Sequence, residues 1–451
     1  MDTAQQDPDG EPRPGPAAAH PTVWAAPQAT GPVRAQVRLP GSKSMTNRAL
    51  VLATLAAGPA EVRNPLRARD TLLMAGALRA LGADVATADP VTWRVTPGWA
   101  SQDARVDVGN AGTVMRFVPP VAALASVAVE FHGDPRAAHR PVGAIITALR
   151  EIGADIDDGG RGAIPFTVRG TGSLPGGAVT VDASASSQLV SGLLLAAPRY
   201  GKGLEVRHRG GRAPSAPHIE MTVQMLRDAG ATVETGSAGG AGLADTWFVH
   251  PGELSSHAIS VQPDVVNSAP FLAAALVTGG SVTIPDWPAV TAQPAAEILD
   301  VFTRMGGTAV AGPDGLTVTG TGRIRGITAD LADCSEISLV TGALAALADS
   351  PSVLTGIGHQ RAQETDRLAA LATEINALGG AVSELPDGLE IRPRPLRADR
   401  PFATYDDHRL VMAAAVLGLA VPGLAIADPG TVGKTYPEFP GVWAAMLEQA
   451  P

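Results

Sequence analysis

The apolar positions of this chain recur at helical spacing, in a pattern that repeats about every seventy residues. In five segments a glycine follows the predicted last residue of a helix. Counting back from that last residue, the positions three and seven residues earlier are apolar in almost every segment. Those ends are Leu81–Val85, Ile152–Ile156, Ala229–Val233, Met305–Ala309 and Leu378–Val382. This spacing is one face of an α-helix. Because glycine takes the left-handed conformation without steric cost, it ends a helix readily. We predict five amphipathic helices, each followed by a strand.

Apolar segments of a second kind alternate with these helices. Each opens on small, polar or charged residues and continues as a run of Ala, Leu and Val. The six openings are Ser44, Asn110, Ser186, Asn267, Ser335 and Asp407. A helix that is apolar nearly all round is buried. We therefore predict an α/β fold of six strand–helix–strand–helix–strand units, which divide into two domains of three.

The two ends of the chain carry a further prediction. The last amphipathic helix, Val442–Gln449, has no strand after it, and the strand Val33–Arg38 is predicted to take that place. Residues 1–21 are rich in Pro, Ala and Gly and are predicted to form a disordered tail. The region lacks the basic start and apolar run of a secretory signal, so a cytoplasmic location is expected.

The composition narrows the possible functions. The 451 residues carry a formal net charge of −10 and 4% aromatic residues, which is unfavourable for binding nucleic acid or anionic membranes. Although Leu410–Ala427 is apolar, Pro422 splits it, and a buried helix, a turn and a short strand are predicted instead of a membrane span. The single cysteine, Cys334, excludes an intrachain disulfide and a multi-cysteine zinc site.

Cations and hydroxyl groups concentrate at the predicted helix openings. Lys43 and Arg48 lie in one of them, and the chain has three lysines against 31 arginines. Similar groups occur at 109–116, 139–141, 185–188, 364–367, 406–409 and 433–435. A helix cap or a surface ion pair explains any one of these groups. Seven of them in register with one repeat indicate a binding site for anions, which helix N-termini attract.

The charges at these openings suggest a ligand with several negative groups. Two phosphates and a carboxylate or two could be neutralised by Lys43, Arg48, Arg140, Arg367, Arg409 and Lys434. The segment 41–44 lacks the spacing of a phosphate-binding Walker A loop, and no metal-ligand cluster is apparent among the nine histidines. Candidate acids and bases are Glu336, Glu364, Asp366 and the lysines Lys43 and Lys434.

Five motifs together resemble the 5-enolpyruvylshikimate-3-phosphate (EPSP) synthase family. They are Leu-Pro-Gly-Ser-Lys-Ser-x-x-Asn-Arg at 39–48, Gly-Asn-Ala-Gly-Thr-x-x-Arg at 109–116, Ser-Ser-Gln at 186–188, Glu-Thr-Asp-Arg-Leu at 364–368 and Asp-His-Arg at 407–409. The resemblance implies a two-domain inverse α/β barrel of six βαβαββ units, three per domain. It places one domain at 42–261 and the other at 22–41 plus 262–451.

The resemblance also implies a reaction. The 5-hydroxyl of shikimate 3-phosphate attacks C2 of phosphoenolpyruvate while C3 takes a proton, and the tetrahedral intermediate then loses phosphate. No metal or organic cofactor is implied, and a monomer is expected.

The family's functional positions map onto this chain through the motifs. The implied catalytic residues are Glu336, Glu364, Lys43 and Lys434. The implied contacts of shikimate 3-phosphate are Lys43, Ser44, Arg48, Ser186, Ser187, Gln188, Ser215, Glu336, His359 and Gln363. The implied contacts of phosphoenolpyruvate are Lys43, Gly112, Arg140, Gln188, Arg367, Arg409 and Lys434.

The chain departs from the family's commonest pattern at several of these positions. Glu336 stands where the family commonly has Asp, and His218 stands where Tyr is often found. His359 and Gln363 replace residues often given as Asn and Lys.

Two alternatives remain open. An enolpyruvyl transferase acting on a UDP-sugar would carry a reactive cysteine in a mobile loop, whereas Cys334 lies at the opening of a predicted buried helix. A non-catalytic anion-binding module would need the cations but not the carboxylates.

Overall fold

The computed structural model describes residues 22–237 and 245–449, so the predicted tail at 1–21 lies outside the described residues. The α-helices in the described ranges are α1 Lys43–Leu55, α2 Arg69–Ala80, α3 Gly112–Ala122, α4 Gly143–Glu151, α5 Gln188–Ala196, α6 Pro217–Asp228, α7 Ala269–Thr278, α8 Ala295–Arg304, α9 Ser338–Ala346, α10 Arg367–Ala377, α11 His408–Gly418 and α12 Phe439–Glu448.

Short strands alternate with these helices. They are β1 Val23–Ala25, β2 Arg34–Gln36, β3 Ala60–Arg63, β4 Asp84–Ala86, β5 Thr92–Thr96, β6 Ala104–Asp107, β7 Ala128–His132, β8 Asp155–Asp157, β9 Phe166–Arg169, β10 Gly177–Val181, β11 Leu204–His208, β12 Val233–Gly236, β13 Thr246–Val249, β14 Ile259–Ser260, β15 Ser281–Ile284, β16 Thr308–Gly312, β17 Gly315–Thr319, β18 Thr328–Asp330, β19 Ser352–Thr355, β20 Ala381–Leu385, β21 Gly388–Arg392 and β22 Ala425–Ala427.

Five four-stranded sheets share one topology, which confirms the predicted repeat. Their strand orders are β14-β3-β5-β4, β6-β7-β9-β8, β10-β11-β13-β12, β2-β15-β17-β16 and β18-β19-β21-β20. In each sheet the first two strands are parallel and the remaining pairs are antiparallel. In three of these sheets a buried helix (α3, α5 or α9) joins the parallel strands, as parallel pairing requires a crossover connection. In the other two, β14 and β2 pair with strands from a distant part of the chain.

The sixth sheet is shorter, and here one prediction was wrong. The segment Val33–Arg38 forms β2, which pairs in parallel with β15 in a different sheet. The strand that pairs with β22 is instead β1, with Val23 opposite Ala427. The two chain ends therefore meet in one lobe, as predicted, but the N-terminal strand that pairs there is β1, about ten residues before the predicted one. The pattern of apolar residues could not distinguish two short N-terminal strands that pair with different sheets.

The five predicted glycine helix ends are confirmed. Gly82, Gly153, Gly230, Gly306 and Gly379 have φ values of 102°, 102°, 89°, 110° and 92°, all in the region that favours glycine. The six alternating helices, α1, α3, α5, α7, α9 and α11, are largely buried, as predicted.

Buried apolar residues form two separate clusters. One lies wholly within residues 49–261, and we call that part of the molecule the central lobe. The other combines residues 26–37 with 265–447, and we call it the terminal lobe because it contains both ends of the described chain. The chain crosses between the lobes near Gly41 and Pro263, which form a β-bridge. The domain boundaries at 41/42 and 261/262 stay a prediction.

The apolar stretch at 410–427 folds as α11, a turn and β22, as predicted. Across residues 22–237 and 245–449, the structure contains no helix with the length and apolar character needed to cross a bilayer.

Gly82 tests whether the glycine helix ends are required by sterics. A Cβ at Gly82 would overlap the backbone of Trp99 and Ala100, and its φ is positive. We expect Gly82→Ala to lower the free energy of unfolding of the central lobe by about 2 kcal/mol or more. Urea denaturation followed by circular dichroism measures the change.

The matched control lies on the helix that Gly82 ends. Gly76 is an exposed residue inside α2, and a Cβ there would contact nothing. Gly76→Ala should raise the free energy of unfolding by ~0.5–1 kcal/mol. Equal urea midpoints for the two variants would contradict this account of the repeat.

Candidate active site between the lobes

The openings of all six buried helices meet at one cavity between the two lobes. Its wall includes Ser42–Ser44 of α1, Gly112 and Thr113 of α3, 186–188 at α5, 266–267 before α7, 335–336 before α9, and 408–409 of α11. A helix N-terminus presents free N–H groups and a partial positive charge. Six of them pointing at one space make a strong site for anions.

The cavity brings together most of the residues predicted from the motifs. Those at its wall are Lys43, Ser44, Gly112, Arg140, Ser186, Ser187, Gln188, Ser215, Glu336, His359, Gln363, Glu364, Arg367 and Arg409. Lys434 contacts this group through its ammonium, which lies 2.6 Å from Glu364 Oε1. The central lobe contributes the residues up to Ser215, and the terminal lobe contributes the others.

Besides Lys434, Arg48 is a predicted binding residue that the structure does not bring to the cavity wall. Its side chain is 1% exposed, and its guanidinium stacks over the ring of Phe117. Its N–H groups donate to Thr222, Ser191 and the carbonyls of Ser44 and His218. In this arrangement Arg48 holds the surrounding helices together beneath the cavity.

Glu364 lies in a dense group of cations. Lys434 Nζ is 2.6 Å from Oε1, Arg367 Nη2 is 2.8 Å from Oε2, and Arg140 Nη1 is 3.7 Å from Oε1. Burial acts to raise the pKa of Glu364, but the charges of Lys434, Arg367 and Arg140 outweigh it and hold that pKa well below its ordinary value. Glu364 is therefore ionised at neutral pH.

Lys434 and Arg367, two of the cations beside Glu364, are in different electrostatic environments. Burial lowers the pKa of Lys434 from its ordinary value, against the opposing effect of Glu364. Arg367 is fixed by a second carboxylate, with Nε 2.7 Å from Asp407 Oδ2, and by Gln360. Lys434 thus has the weaker hold on its proton, and Arg367 is a permanent cation.

Glu336 forms a second acidic centre at the cavity wall. Ser215 donates to its Oε1 at 3.0 Å, and His218 Nδ1 lies 3.3 Å from the same oxygen. Its other oxygen, Oε2, is buried and has no hydrogen-bond partner. Burial acts to raise the pKa of Glu336, but His218 and Arg409 outweigh it and lower that pKa below its ordinary value. An ionised carboxylate with one unoccupied oxygen can accept a proton from a bound ligand.

Gly112 lets several polar side chains converge at the start of α3. A Cβ there would lie 2.8 Å from Arg116 Nη1 and 2.9 Å from both Arg140 Nη2 and Gln188 Oε1. Arg116 donates to Gln188 Oε1 at 2.8 Å and so orients this amide at the cavity wall. Any side chain at 112 would displace these groups.

Two cations at the cavity wall differ in how the protein engages them. Lys43 Nζ lies 3.3 Å from the buried carboxylate of Asp70. The guanidinium of Arg409 has no hydrogen bond or ion pair among the contacts of the described residues, although its backbone N–H donates to Asp407. Arg409 is thus the cation in the best position to bind an incoming anion.

Several residues of the site were not identified from the sequence. Asp70 is buried beside Lys43, and Asp264 accepts from the backbone N–H of Lys43. Asn110, predicted only as a helix opening, accepts from Lys434 through its carbonyl. Asp70 and Asp264 lie at the starts of helical turns, where acidic residues commonly act as caps. Only the three-dimensional packing distinguishes them from ordinary caps.

Within the described part of the chain, no group of three or more His, Cys, Asp or Glu side chains could hold a metal ion. The predicted independence of the reaction from cofactors stays a prediction.

Comparison with known proteins gives consistent matches. The family model of EPSP synthase (3-phosphoshikimate 1-carboxyvinyltransferase) matches residues 27–443. A 3-phosphoshikimate 1-carboxyvinyltransferase of Kocuria rhizophila is 48% identical over 439 residues, which cover 94% of this chain and 96% of the relative.

Solved structures match the fold. A 2.37 Å structure of EPSP synthase from Acinetobacter baumannii has a TM-score of 0.77 at 22% identity and covers 95% of this chain and 98% of its own. A second structure of EPSP synthase from that organism has a TM-score of 0.75 at 22% identity, with coverages of 94% and 98%.

The six repeated units and the anion-binding cavity between two lobes define a two-lobed α/β transferase that acts on small anionic substrates. The chain belongs to the EPSP synthase family, that of the 3-phosphoshikimate 1-carboxyvinyltransferases.

The lowered pKa of Glu364 predicts an acid dependence of stability. Because the folded-state pKa lies well below the ordinary value, the ionised carboxylate stabilises the folded protein above about pH 4.3, the unfolded value for Glu. This stabilisation is lost as the pH falls toward the folded-state pKa. We expect Glu364→Gln to lower the midpoint of thermal unfolding at neutral pH, by an amount that shrinks below about pH 4.3.

Thermal unfolding followed by circular dichroism across the acid range measures this difference. The exposed Glu253→Gln variant should match the wild type at each pH. A constant difference between Glu364→Gln and the wild type over the whole range would show that Glu364 titrates alike in the folded and unfolded states.

Proposed function

We propose that the cavity between the lobes is where this chain transfers the enolpyruvyl group of phosphoenolpyruvate to the 5-hydroxyl of shikimate 3-phosphate, releasing phosphate. This transfer is the reaction of the family, in the shikimate pathway that leads to chorismate and the aromatic amino acids. One observation carries the proposal. Cations from both lobes surround two buried carboxylates, Glu336 and Glu364, at the meeting point of six helix N-termini.

Shikimate 3-phosphate is assigned to the side of the cavity near Glu336. Hydroxyl and amide groups of Ser44, Ser186, Ser187 and Gln188 would bind its phosphate and ring oxygens, with Ser215 from the same lobe. From the terminal lobe, His359 and Gln363 would complete the contacts. Neutral donors suit a phosphate here because the helix N-termini already supply positive potential. Arg48 would support this side from below, and its direct contact with the substrate stays a prediction.

Phosphoenolpyruvate is assigned to the side near Glu364. Arg140, Arg367 and Arg409 would pair with its phosphate and carboxylate, and the open start of α3 at Gly112 would admit one of these groups. Planar guanidinium groups bind such oxyanions in pairs. Lys43, at the start of α1, lies at the wall of the same cavity and would contact both substrates.

In the addition step, the oxygen of the 5-hydroxyl forms a bond to C2 of phosphoenolpyruvate. The free oxygen of Glu336 takes the proton that this hydroxyl loses. C3 receives a proton from Lys434, whose lowered pKa makes it a better acid than an ordinary lysine. Glu364 holds this ammonium in place at 2.6 Å. In the elimination step C3 returns a proton to this pair and the C2–O bond to phosphate breaks. Lys43 stabilises the leaving phosphate, which takes the proton held by Glu336.

The closest rival reaction is supported less well. A transferase acting on a UDP-sugar would use a reactive cysteine, but Cys334 is 3% exposed and burial raises the pKa of its thiol. Such a thiol is inert as a nucleophile or acid near neutral pH. Turnover with UDP-N-acetylglucosamine would revive the rival.

The protein is proposed to act as a monomer with lobes at 42–261 and 22–41 plus 262–451. Both sides of the cavity come from one chain, so no second copy is needed to complete it. A cytoplasmic location stays a prediction.

Glu336→Gln tests the enzymatic proposal against a non-catalytic binding module. Glutamine keeps the shape of the side chain but cannot accept the hydroxyl proton. We expect kcat for phosphate release from phosphoenolpyruvate, in the presence of shikimate 3-phosphate, to fall by at least ~10²-fold. The KM values should change little, because the contacts to both substrates remain.

The exposed Asp314→Asn variant serves as the control and should keep wild-type kcat. Phosphate release by the wild type should also require shikimate 3-phosphate. Equal rates with and without it, or a fully active Glu336→Gln, would refute the proposal.

The position of the site between two lobes predicts a change of shape on binding. Lys434 of the terminal lobe donates to the carbonyl of Asn110, and Arg136 of the central lobe donates to that of Glu364 at 3.1 Å. These contacts require the lobes to be together, whereas substrate entry requires them to separate. Small-angle X-ray scattering should show a smaller radius of gyration with saturating shikimate 3-phosphate.

Shikimate without the phosphate, at the same concentration, is the matched control and should cause little change. An unchanged scattering profile at saturating shikimate 3-phosphate would rule out ligand-driven closure.

A further inference from the structure

Two groups of the central lobe approach Glu336 of the terminal lobe, Ser215 through a hydrogen bond and His218 at ion-pair distance. His218, the second residue of α6, places Nδ1 3.3 Å from Glu336 Oε1, and Ser215 donates to the same oxygen at 3.0 Å. Glu336 Oε2 is left buried without a partner. The two cross-lobe contacts thus engage one carboxylate oxygen and leave the other for a ligand.

The position of His218 is fixed from behind. Its carbonyl accepts hydrogen bonds from Arg48 Nη2 at 2.9 Å and Thr222 Oγ1 at 3.0 Å. Its side chain is 12% exposed, so the imidazole has little room to turn away. The buried guanidinium of Arg48 therefore anchors the turn that carries the imidazole.

We propose that His218 is a positioning residue for Glu336. When the lobes are closed, the neutral imidazole donates its Nδ1–H to Oε1 and directs Oε2 toward the substrate hydroxyl. The inference rests on the proposed role of Glu336 as proton acceptor. Since the two residues come from different lobes, the carboxylate is oriented only in the closed enzyme, which links closure to proton transfer. The imidazole itself gains and loses no proton during the reaction.

The charged groups around His218 give this role a pH signature. The groups that act on it are Glu336, Arg48, Asp264 and Arg409. Burial lowers the pKa of His218, and Arg48 and Arg409 lower it further. Glu336 and Asp264 act to raise it, but the pKa of His218 still lies below its ordinary value. A protonated His218 would form an ion pair with Glu336 and weaken it as a base, so kcat should fall as the pH falls through the pKa of His218.

Two substitutions separate the hydrogen bond from the imidazole ring. Leu at position 218 fills similar space without a donor, whereas Asn presents an amide N–H near the place of Nδ1 but does not titrate. We expect His218→Leu to lower kcat by about 10- to 100-fold, the effect of one hydrogen bond to a charged group, with little change in KM. His218→Asn should recover most of this loss, and the acid limb of its kcat profile should move to lower pH.

Thermal unfolding midpoints of both variants verify that the protein still folds. Wild-type kcat and an unchanged pH profile in His218→Leu would overturn the inference, and so would equal losses in Leu and Asn variants that are both folded. If Glu336→Gln is inactive while His218→Leu is normal, the proposed function stands and only the role of His218 fails. If Glu336→Gln is fully active, the proposed function fails as well.

Discussion

The shared direction of six buried helices is the constraint on which the rest of the structure depends. Each helix is apolar along its length and has its polar or charged residues at its first turn, so burying the helix brings that turn to the cavity. The partial positive charge of each N-terminus adds to the others in a space from which water is partly excluded. Anionic groups are favoured there before any side chain is considered.

The buried side-chain charges follow from the same constraint. An isolated buried ion is very unfavourable, so each one must be paired or hydrogen-bonded. In the cavity, Glu364 neutralises Lys434 and Arg367, and Asp407 fixes Arg367 a second time. Arg409 has no such partner, and the helix N-termini add further positive potential. Arg409 and the helix N-termini therefore leave positive potential in the cavity, which two anionic substrates would neutralise.

Two edge strands, one beside each crossing, show how the lobes are connected. Strand β14, from the end of the central segment, completes the sheet of β3, while β2, from before that segment, completes the sheet of β15. Each crossing is therefore anchored in a sheet on one side, by β14 in the central lobe and by β2 in the terminal lobe. Because the two apolar cores are separate, the closure predicted above would leave each of them intact.

Periodicity was sufficient to predict the repeat because it depends on local rules. The glycine helix ends at Gly82 and Gly379 and the buried helix α11 follow from sterics and from burial, which single residues express directly. Strand pairing depends on contacts far apart in sequence, and for this reason the partner of Val33–Arg38 was assigned wrongly.

The same distinction between local signals and long-range packing applies to the residues of the site. Residues at helix openings were found because a cation or carboxylate at an N-terminus is a local signal, whereas Asp70 resembles an ordinary helix cap. Arg48 carries the same local signal as Lys43, yet five residues further along α1 its side chain is turned inward to Thr222 and Ser191. The sequence locates the cations, and packing decides which of them face the cavity.

The contacts that close the cavity explain why the lobes can both open and close. Many are hydrogen bonds to backbone carbonyls, such as Lys434 to Asn110, Arg136 to Glu364 and the N–H of Ser215 to Ala332. Each such bond contributes only about 1 kcal/mol net, because the same groups bind water when the lobes separate. With only a few such bonds, the free energies of the open and closed forms would differ by a few kcal/mol at most. A ligand that binds only the closed form can then shift the balance by its own binding energy. The same argument places the selectivity of the reaction in closure: a molecule that lacks one of its anionic groups leaves a buried cation unpaired and opposes the closed form.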